Sequence, residues 1–443
     1  MRRMSSGRLS KAAISLRASF WFLPALIVLA SLALAAGLVA LDRQLDGSPA
    51  ERWPSLFASD ADGARELLAV IAGSMITVAG VVFSITIAAL AQASSQYTSR
   101  VLRNFMRDRG NQTVLGVFLG VFAYGMVVMH TIVPGDGEDF VPLVAVATAL
   151  VLALVAVAFL VYFIHHVAAL VQSGEVARGI AVDTLAAIDR MCTEPLEDDE
   201  HAPDTAGLAW HPVPAPEMGY IEHVDLDGLA DLARERGVVV RMEQWVGDFC
   251  TPDRPIASIA SVAAGSTGVP GPETVRNVAG LFAVDSYRTI GQDIAFGIRQ
   301  LVDVALVALS PGHDDPTTAV TAIDHLSVIL QRLAGRRIVP RPVRDGDTLR
   351  VIPAGPDFED LLALAFNQIL ENAHGNTAIL LRLLDAIEQI RAGTASAARH
   401  RLLDDKRDTI AEVGRRTASC GESRRLIEAR LAGATVAEDT AGG

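Results

Sequence analysis

Residues 67–99 read LLAVIAGSMITVAGVVFSITIAALAQASSQYTS, a run without a single Asp, Glu, Lys or Arg. About 20 apolar residues in a helix cross a hydrocarbon core of about 30 Å. This run is longer than one crossing needs, so it predicts a helix that leaves the bilayer by about Ala91 and continues beyond it. Three other runs share its character. Residues 20–41 carry no charge. They exceed the roughly 7–15 residues of a signal-peptide core, which predicts an uncleaved anchor. The third run is about Thr113–Val133. The fourth starts near Phe140 and, His165 and His166 aside, stays uncharged until Glu175. The expected fold class is therefore membrane α-helical, with four transmembrane helices. A cytosolic α+β domain follows, with a small β unit and a helical C-terminal part.

Composition agrees with that division. The chain has 443 residues, 51% hydrophobic and 20% charged, which excludes a disordered or fibrous protein. Residues 1–166 hold 12 Lys+Arg and 10 Asp+Glu. Subtraction from 38 and 51 leaves 26 and 41 for residues 167–443, a net of −15. An acidic C-terminal part argues against nucleic acid as a partner, because a phosphate backbone needs a basic face. Three cysteines, Cys192, Cys250 and Cys420, form no CxxC and are odd in number, so neither a disulfide framework nor a zinc site is expected. The basic loops fall on one side. The N-terminus has Arg2, Arg3, Arg8, Lys11 and Arg17, and the loop after the second run has Arg100, Arg103, Arg107 and Arg109 against Asp108. Residues 42–66 and 134–139 are acidic on balance. The positive-inside rule then puts both termini in the cytosol of a bacterial inner membrane.

The second run carries the candidate site. Gly73, Thr77, Gly80, Ser84, Ala88, Ala91 and Ser95 recur every three or four residues and form one helical stripe. Such a stripe serves close helix–helix packing, or it lines a pore whose hydroxyls replace ion hydration. Gly116 and Gly120 in the third run make a GxxxG with the same packing use. No acid or base lies inside any span, which weighs against an ion-coupled transporter. Arg100, Arg103 and Arg107 share a face, suited to anionic headgroups or to a charged vestibule.

Beyond the spans the pattern shifts. An exit helix over 167–192 leads into a Pro-containing acidic linker, 193–216. Strands are expected at Gly219–Val224 and Gly237–Glu243, with a helix at Asp225–Arg236 between them. A strand–turn–strand follows over Val246–Ile259, which resembles weakly the turn of small biotinyl/lipoyl-like β units without a carrier lysine. A further short strand is expected near Leu281–Val284. Helices are expected at Thr289–Leu309, from Asp315-Pro316 to about Leu333, at Asp357–Ile390 with a break at His374-Gly375-Asn376, and at Ala398–Leu431. Asp315 is a good helix cap and Pro316 a good first residue. The expected domains are 1–19, a basic cytosolic N-terminus; 20–174, the four-helix membrane domain; 175–216, exit helix and linker; 217–285, the small α+β unit; and 286–443, the helical domain. Asp293, Gln300 and Asp303 fall near one helical face, Arg299 and Asp303 are an i,i+4 pair, and Arg288 stands five residues before Asp293. With Asp314 and Asp315 these carboxylates could hold a divalent cation, or they are a capped hairpin with solvated charges.

Three stretches carry a family resemblance: Gly73-Ser74-Met75-Ile76-Thr77-Val78 with Phe83-Ser84; Ser95-Gln96-Tyr97-Thr98-Ser99-Arg100; and Arg288-Thr289 with Gln292-Asp293, continuing in Ser310-Pro311-Gly312-His313-Asp314-Asp315-Pro316. The chain resembles bacterial predicted membrane proteins of domain-of-unknown-function family 2254. The resemblance implies four N-terminal spans and a cytosolic domain, and no known activity. No P-loop, GxGxxG, HExxH, GxSxG or Cys/His dyad is present in the sequence. The expectation is a channel-like, oligomeric membrane protein that is not an enzyme and carries no cofactor. Its partners would be the lipid bilayer and further copies of itself, with the permeant ion or ligand open. The alternative is a non-conducting sensor or scaffold.

Overall fold

The computed structural model describes residues 21–44, 61–96, 108–132, 140–170, 173–197, 203–262, 271–418 and 420–432. The chain divides into two compact units, residues 1–172 and 173–443.

The N-terminal unit is a four-helix bundle: α1 (Phe22–Gln44), α2 (Ala61–Gln96), α3 (Arg109–Thr131) and α4 (Leu143–Leu170). Each is long and apolar enough to cross a membrane. The most buried is α3, which packs on the other three. Its glycines explain how. A methyl at Gly116 would stand 2.7 Å from Ile27 Cδ1 and 3.0 Å from the Pro24 Cα of α1. At Gly120 it would meet Ser31 of α1, at Gly125 Ala72 of α2, and at Gly110 His166 of α4. Small residues allow this close approach, which apolar lipid would not otherwise drive. Leu68, Phe118, Tyr124 and Phe163 fill the centre.

Polar groups fasten the ends. Asp42, the first charge after the 20–41 run, accepts from the amides of Val144 (3.1 Å) and Ala145 (2.9 Å), so α1 caps α4. The Tyr124 hydroxyl donates to the Ala145 carbonyl at 2.8 Å. At the other end Asp108 caps α3 through the amides of Gly110 and Asn111. That cap starts α3 at Arg109, four residues before the expected Thr113. Asp108 also meets His166 Nε2 of α4 at 2.5 Å, and the His166 ring stacks on Tyr162.

The C-terminal unit begins with α5 (Ser173–Met191) and joins helices to two small sheets. In chain order it then has β1 (His211–Pro214), β2 (Gly219–Val224), α6 (Leu226–Arg236), β3 (Val238–Met242), β4 (Phe249–Cys250), β5 (Pro255–Ser261), α7 (Pro272–Ala279) and β6 (Phe282–Asp285). Next come α8 (Ile294–Ala308), α9 (Pro316–Ala334), β7 (Val343–Asp345), β8 (Thr348–Ile352), α10 (Phe358–Asn372), α11 (Thr377–Arg391), α12 (Ala397–Thr417) and α13 (Gly421–Leu431). One sheet has the order β1-β5-β3-β8-β7, all antiparallel except β3 with β8; the other is an antiparallel β4-β2-β6. Val213, Ile221, Val240, Ile256, Phe282 and Val351 share one core with Leu229 of α6.

The helix boundaries follow from caps. Asp225 caps α6 and Gly237, at φ +63°, ends it. Asp293 caps α8, so that helix starts later than the expected Thr289. Asp357 and Asp360 form a capping box on α10, and Asn376 caps α11 after His374 and Gly375 at positive φ, where a break was expected.

Several expectations need correction. The 193–216 linker is partly structured: Glu194–Leu196 pair with Gly335–Arg337, and His211–Pro214 is an edge strand. The five-stranded sheet reaches beyond 217–285, because β7 and β8 return from the basic stretch after α9. Turn Gly346, at φ +60°, closes that hairpin. Helix α7 was also not expected. The single helix Ala398–Leu431 is two, since Cys420 caps a new one.

Candidate functional site

Helix α2 has two faces. Leu68, Ile71, Ala72, Met75, Ala79 and Val82 are buried in the bundle. Gly73, Thr77, Gly80 and Ser84 are on the opposite, exposed face. A methyl added at Gly73 or Gly80 meets nothing within 4 Å. Among the described residues, no other helix of the chain packs onto Gly73 or Gly80, whereas Gly116 and Gly120 of α3 pack closely on α1. Thr77 Oγ1 donates to the Gly73 carbonyl at 2.8 Å and Ser84 Oγ to the Gly80 carbonyl at 2.9 Å. Each hydroxyl thus turns its proton back onto the helix. Its oxygen keeps outward lone pairs, so this face offers acceptors more than donors. The stripe interrupts an otherwise bulky outer surface: Leu29, Val151, Leu154, Val161 and Ile164 are exposed on α1 and α4. Ser95 continues α2 in its backbone. Arg100, Arg103 and Arg107 lie outside the described residues.

The second candidate region separates into two places. Arg288 donates from Nε to Asp293 Oδ2 (2.7 Å) and from Nη2 to Oδ1 (3.0 Å), and its guanidinium lies over the Phe296 ring. Asp293 also accepts from the Phe296 amide at 2.9 Å. Burial pushes the Asp293 carboxyl up from the ordinary carboxylate value, and Arg288 opposes that shift. Around the pair, Gln292 Oε1 accepts from the Val224 amide and Thr289 donates to Glu222. Gly247, at φ +96°, leaves no room for a methyl beside Asp293. These contacts sew β2 to the start of α8. A separation of five residues does not prevent a two-pronged pair, because the four between them, 289–292, do not form helix.

Ser310, Gly312 and Asp315 stand at the other end of α8, about 22 Å away along a helix of 15 residues. There Ser310 Oγ donates to the Val307 carbonyl, and Gly312 (φ +97°) and Asp314 (φ +42°) turn the chain. Asp315 accepts from the Thr318 amide and hydroxyl, which hold its carboxyl below the ordinary value. Asp303 lies mid-helix and pairs with Arg299 at 3.1 Å; Arg299 also donates to Gln368 of α10. The cation reading required these carboxylates together. Among the described residues no group of three or more His, Cys, Asp or Glu is placed to hold a metal. Asp315 is the N-cap of α9.

A family described as "Predicted membrane protein (DUF2254)" matches residues 17–389. The chain belongs to that family. It is similar to an uncharacterised protein of Mycobacterium bovis, 32% identical over 385 residues, covering 86% of this chain and 74% of the relative. Uncharacterised proteins of two Mycobacterium tuberculosis strains match with the same coverage at 32% and 31% identity. No solved structure matches.

Sequence reasoning missed three features of this DUF2254 protein. One is the Asp108–His166 contact, for which a capping Asp just before an apolar run was a visible signal. Another is Asp42 as a cap for a helix a hundred residues later, which had none. The third is Arg399, which is buried, donates to the Leu333 and Ala334 carbonyls at the end of α9 and lies over Phe358.

Proposed function

We propose that this DUF2254 protein is a subunit of a channel-like homo-oligomer in a bacterial inner membrane, with α2 facing its neighbours and the C-terminal unit in the cytosol as gate or assembly domain. One observation carries this reading: the Gly73–Thr77–Gly80–Ser84 face points out of the bundle. The bundle centre is filled by Leu68, Phe118, Tyr124 and Phe163, so a path through one copy would have to displace them. A path between copies has a ready surface. Small residues allow close approach, and the hydroxyl oxygens on that face suit a partly dehydrated cation better than an anion. The positive-inside pattern supports the orientation. The acidic C-terminal part speaks against nucleic acid, and the sequence offers no reactive constellation that recommends an enzyme.

The test is ion flux through purified protein in liposomes, with and without a voltage. Cation flux that is lost in folded Thr77→Leu and Ser84→Leu variants is the expected result. Flux that persists in both variants, or a tight membrane with inserted, folded protein, overturns the reading.

A second reading is a non-conducting sensor or scaffold. The exposed Ser310–Pro316 turn favours it, since the fold packs nothing onto Gly312. It expects a tight membrane throughout and ligand-induced thermal stabilisation that changes with substitution at Asp315.

A further inference from the structure

We propose that residues 194–197 are a releasable strap over an anion site built from Arg332, Arg336, Arg337 and Arg341, and that the site takes a polyvalent phosphate. Residues 332–344 hold five arginines and no Asp or Glu, within a C-terminal part that is acidic on balance. Carboxylates from the end of α5 and the segment after it cover four of the five. Asp189 Oδ1 meets Arg332 Nη1 at 3.2 Å and Arg336 Nη1 at 2.8 Å. Glu194 Oε2 meets Arg337 Nε at 3.3 Å and Arg341 Nε at 2.7 Å, and Glu197 Oε2 meets Arg341 Nη2 at 2.5 Å. Two carboxylate oxygens are thus each shared by two guanidiniums, a role that phosphate oxygens fill equally well. Arg332 and Arg336 engage Asp189 through Nη1 alone, and Arg336 Nη1 also donates to the Cys192 carbonyl at 3.2 Å. Among the described residues their Nε and Nη2 groups donate to nothing, so the cluster keeps spare donors for an anion.

The strap itself is held weakly. Its backbone makes two bonds to the end of α9: the Arg337 amide donates to the Glu194 carbonyl and the Leu196 amide to the Gly335 carbonyl, each at 3.0 Å. Pro195 between them pairs with Arg336 as an isolated bridge, and without an amide proton it has nothing further to donate. Glu194, Pro195 and Glu197 are exposed and Leu196 is half-buried, so no side chain of the strap is anchored in a core. Arg341, Glu194 and Glu197 keep 46%, 51% and 59% of their side chains exposed. Ion pairs at such exposure are individually weak and screened by salt. Asp189 belongs to α5 and stays in place when the strap lifts. Of these side chains, four guanidiniums then face one carboxylate. Arginine forks match phosphate oxygens in pairs, and a ligand with several phosphate charges replaces both Glu194 and Glu197 where a single charge replaces one. Ligand and strap therefore compete for the same arginines, and binding loosens the segment that leads from α5 to β1.

The test uses the full chain in nanodiscs of phosphatidylcholine, with inorganic tripolyphosphate as the probe and ionic strength held constant. Calorimetric titration reads the affinity, and hydrogen exchange reads the Leu196 and Arg337 amides. The expected result is binding that speeds exchange at both amides and leaves α11 unchanged, which also serves as the folding control for each variant. Glu194→Gln combined with Glu197→Gln removes the competing carboxylates and should raise the affinity by about tenfold. Arg332→Gln, which touches Asp189 and not the strap, should lower it by about tenfold. A purely structural cluster gives neither change. Discs containing cardiolipin, without the probe, separate the sources of phosphate. Strap release there assigns the site to a lipid headgroup, release by tripolyphosphate alone assigns it to a free ligand, and either supports the proposal. No release in either disc, release matched by sodium chloride at equal ionic strength, or a response that the Glu and Arg variants leave unmoved overturns it.

Discussion

Leucine placed at four glycines should separate the inner and outer faces of the bundle. At Gly116 even a methyl would lie 2.7 Å from Ile27 Cδ1 and 3.0 Å from the Pro24 Cα. Ordinary carbon contacts are about 3.5–4.0 Å, so α1 must shift by about 0.5–1 Å. The second contact is backbone and cannot rotate away. Overpacking of this kind costs about 1–3 kcal/mol, and leucine stands at the upper end. Gly120→Leu should cost less, because the nearest atom is the Ser31 hydroxyl, a movable side-chain end. At Gly73 and Gly80 nothing lies within 4 Å. There leucine gains up to about 1 kcal/mol of helix propensity and loses nothing within the subunit. In an oligomer seated on this face, the same leucine overpacks the contact between copies. A cost of 1–3 kcal/mol weakens association by about 5- to 150-fold. The assays are equilibrium unfolding of the detergent-solubilised monomer and single-molecule photobleaching counts in bilayers. Gly116→Leu should lower monomer stability, whereas Gly73→Leu and Gly80→Leu should preserve it and shift the counts toward one. Outer variants that unfold the monomer as Gly116→Leu does would refute the two-faced reading of α2. Outer variants with unchanged counts would refute assembly through it.

Four further outcomes follow from single contacts. Asp42→Ala leaves the first turn of α4 without its cap and should cost about 1–2 kcal/mol in thermal unfolding; an unchanged midpoint rejects the cap. Asp293→Leu leaves Arg288 without its carboxylate and should cost about 2–4 kcal/mol, below the range for fully buried pairs because Arg288 keeps 21% of its side chain exposed. Adding Arg288→Met should recover part of that loss, and a purely additive double variant argues against the pair. Asp315 is held below the ordinary carboxylate value, so its contribution to the α8–α9 hairpin is complete above about pH 4 and falls with further acidification; Asp315→Asn should flatten that acid limb in a pH series of hydrogen exchange. The Asn111 carboxamide is buried in α3 and makes no hydrogen bond among the described residues. Asn111→Leu should therefore stabilise the bundle by about 1–3 kcal/mol, and a loss of stability would reveal a partner for it.

What the sequence made legible was local. Uncharged length showed the four apolar helices, and caps such as Asp225, Asp315 and Asn376 set helix ends because a capping side chain acts on its own next turn. Non-local pairing was hidden. The strand β1 contains two prolines and read as linker, yet at the sheet edge a missing amide faces no partner strand. The strands β7 and β8 sit in a basic stretch whose pattern gives no hint that β8 joins β3 a hundred residues upstream. The stripe on α2 was visible from spacing, but its direction was not, since small residues mark both packed and open faces. Only the three-dimensional position of Leu68 and Met75 on the opposite side decides it. The carboxylates of the third motif looked clustered because they are near in sequence, and a helix of 15 residues holds them apart.

A polar group in a membrane helix is by default a reason to suspect function, because its burial is expensive. In this bundle most of the described ones have structural work. Asp42 closes the start of α4, Asp108 closes the start of α3 and meets His166, and Tyr124 satisfies the Ala145 carbonyl. Thr86, the buried hydroxyl of α2, donates to the Val82 carbonyl. Thr77 and Ser84 make the same bond back onto α2, to the Gly73 and Gly80 carbonyls, but from the exposed face. A carrier that moves cargo through one subunit would need polar groups turned inward, and the inward positions are taken by Phe118, Phe163 and Leu68. Assembly therefore comes before transport in the order of experiments. A subunit that stays single in the bilayer has no route to offer along this face, and attention then moves to what binds the exposed turn at Ser310–Pro316.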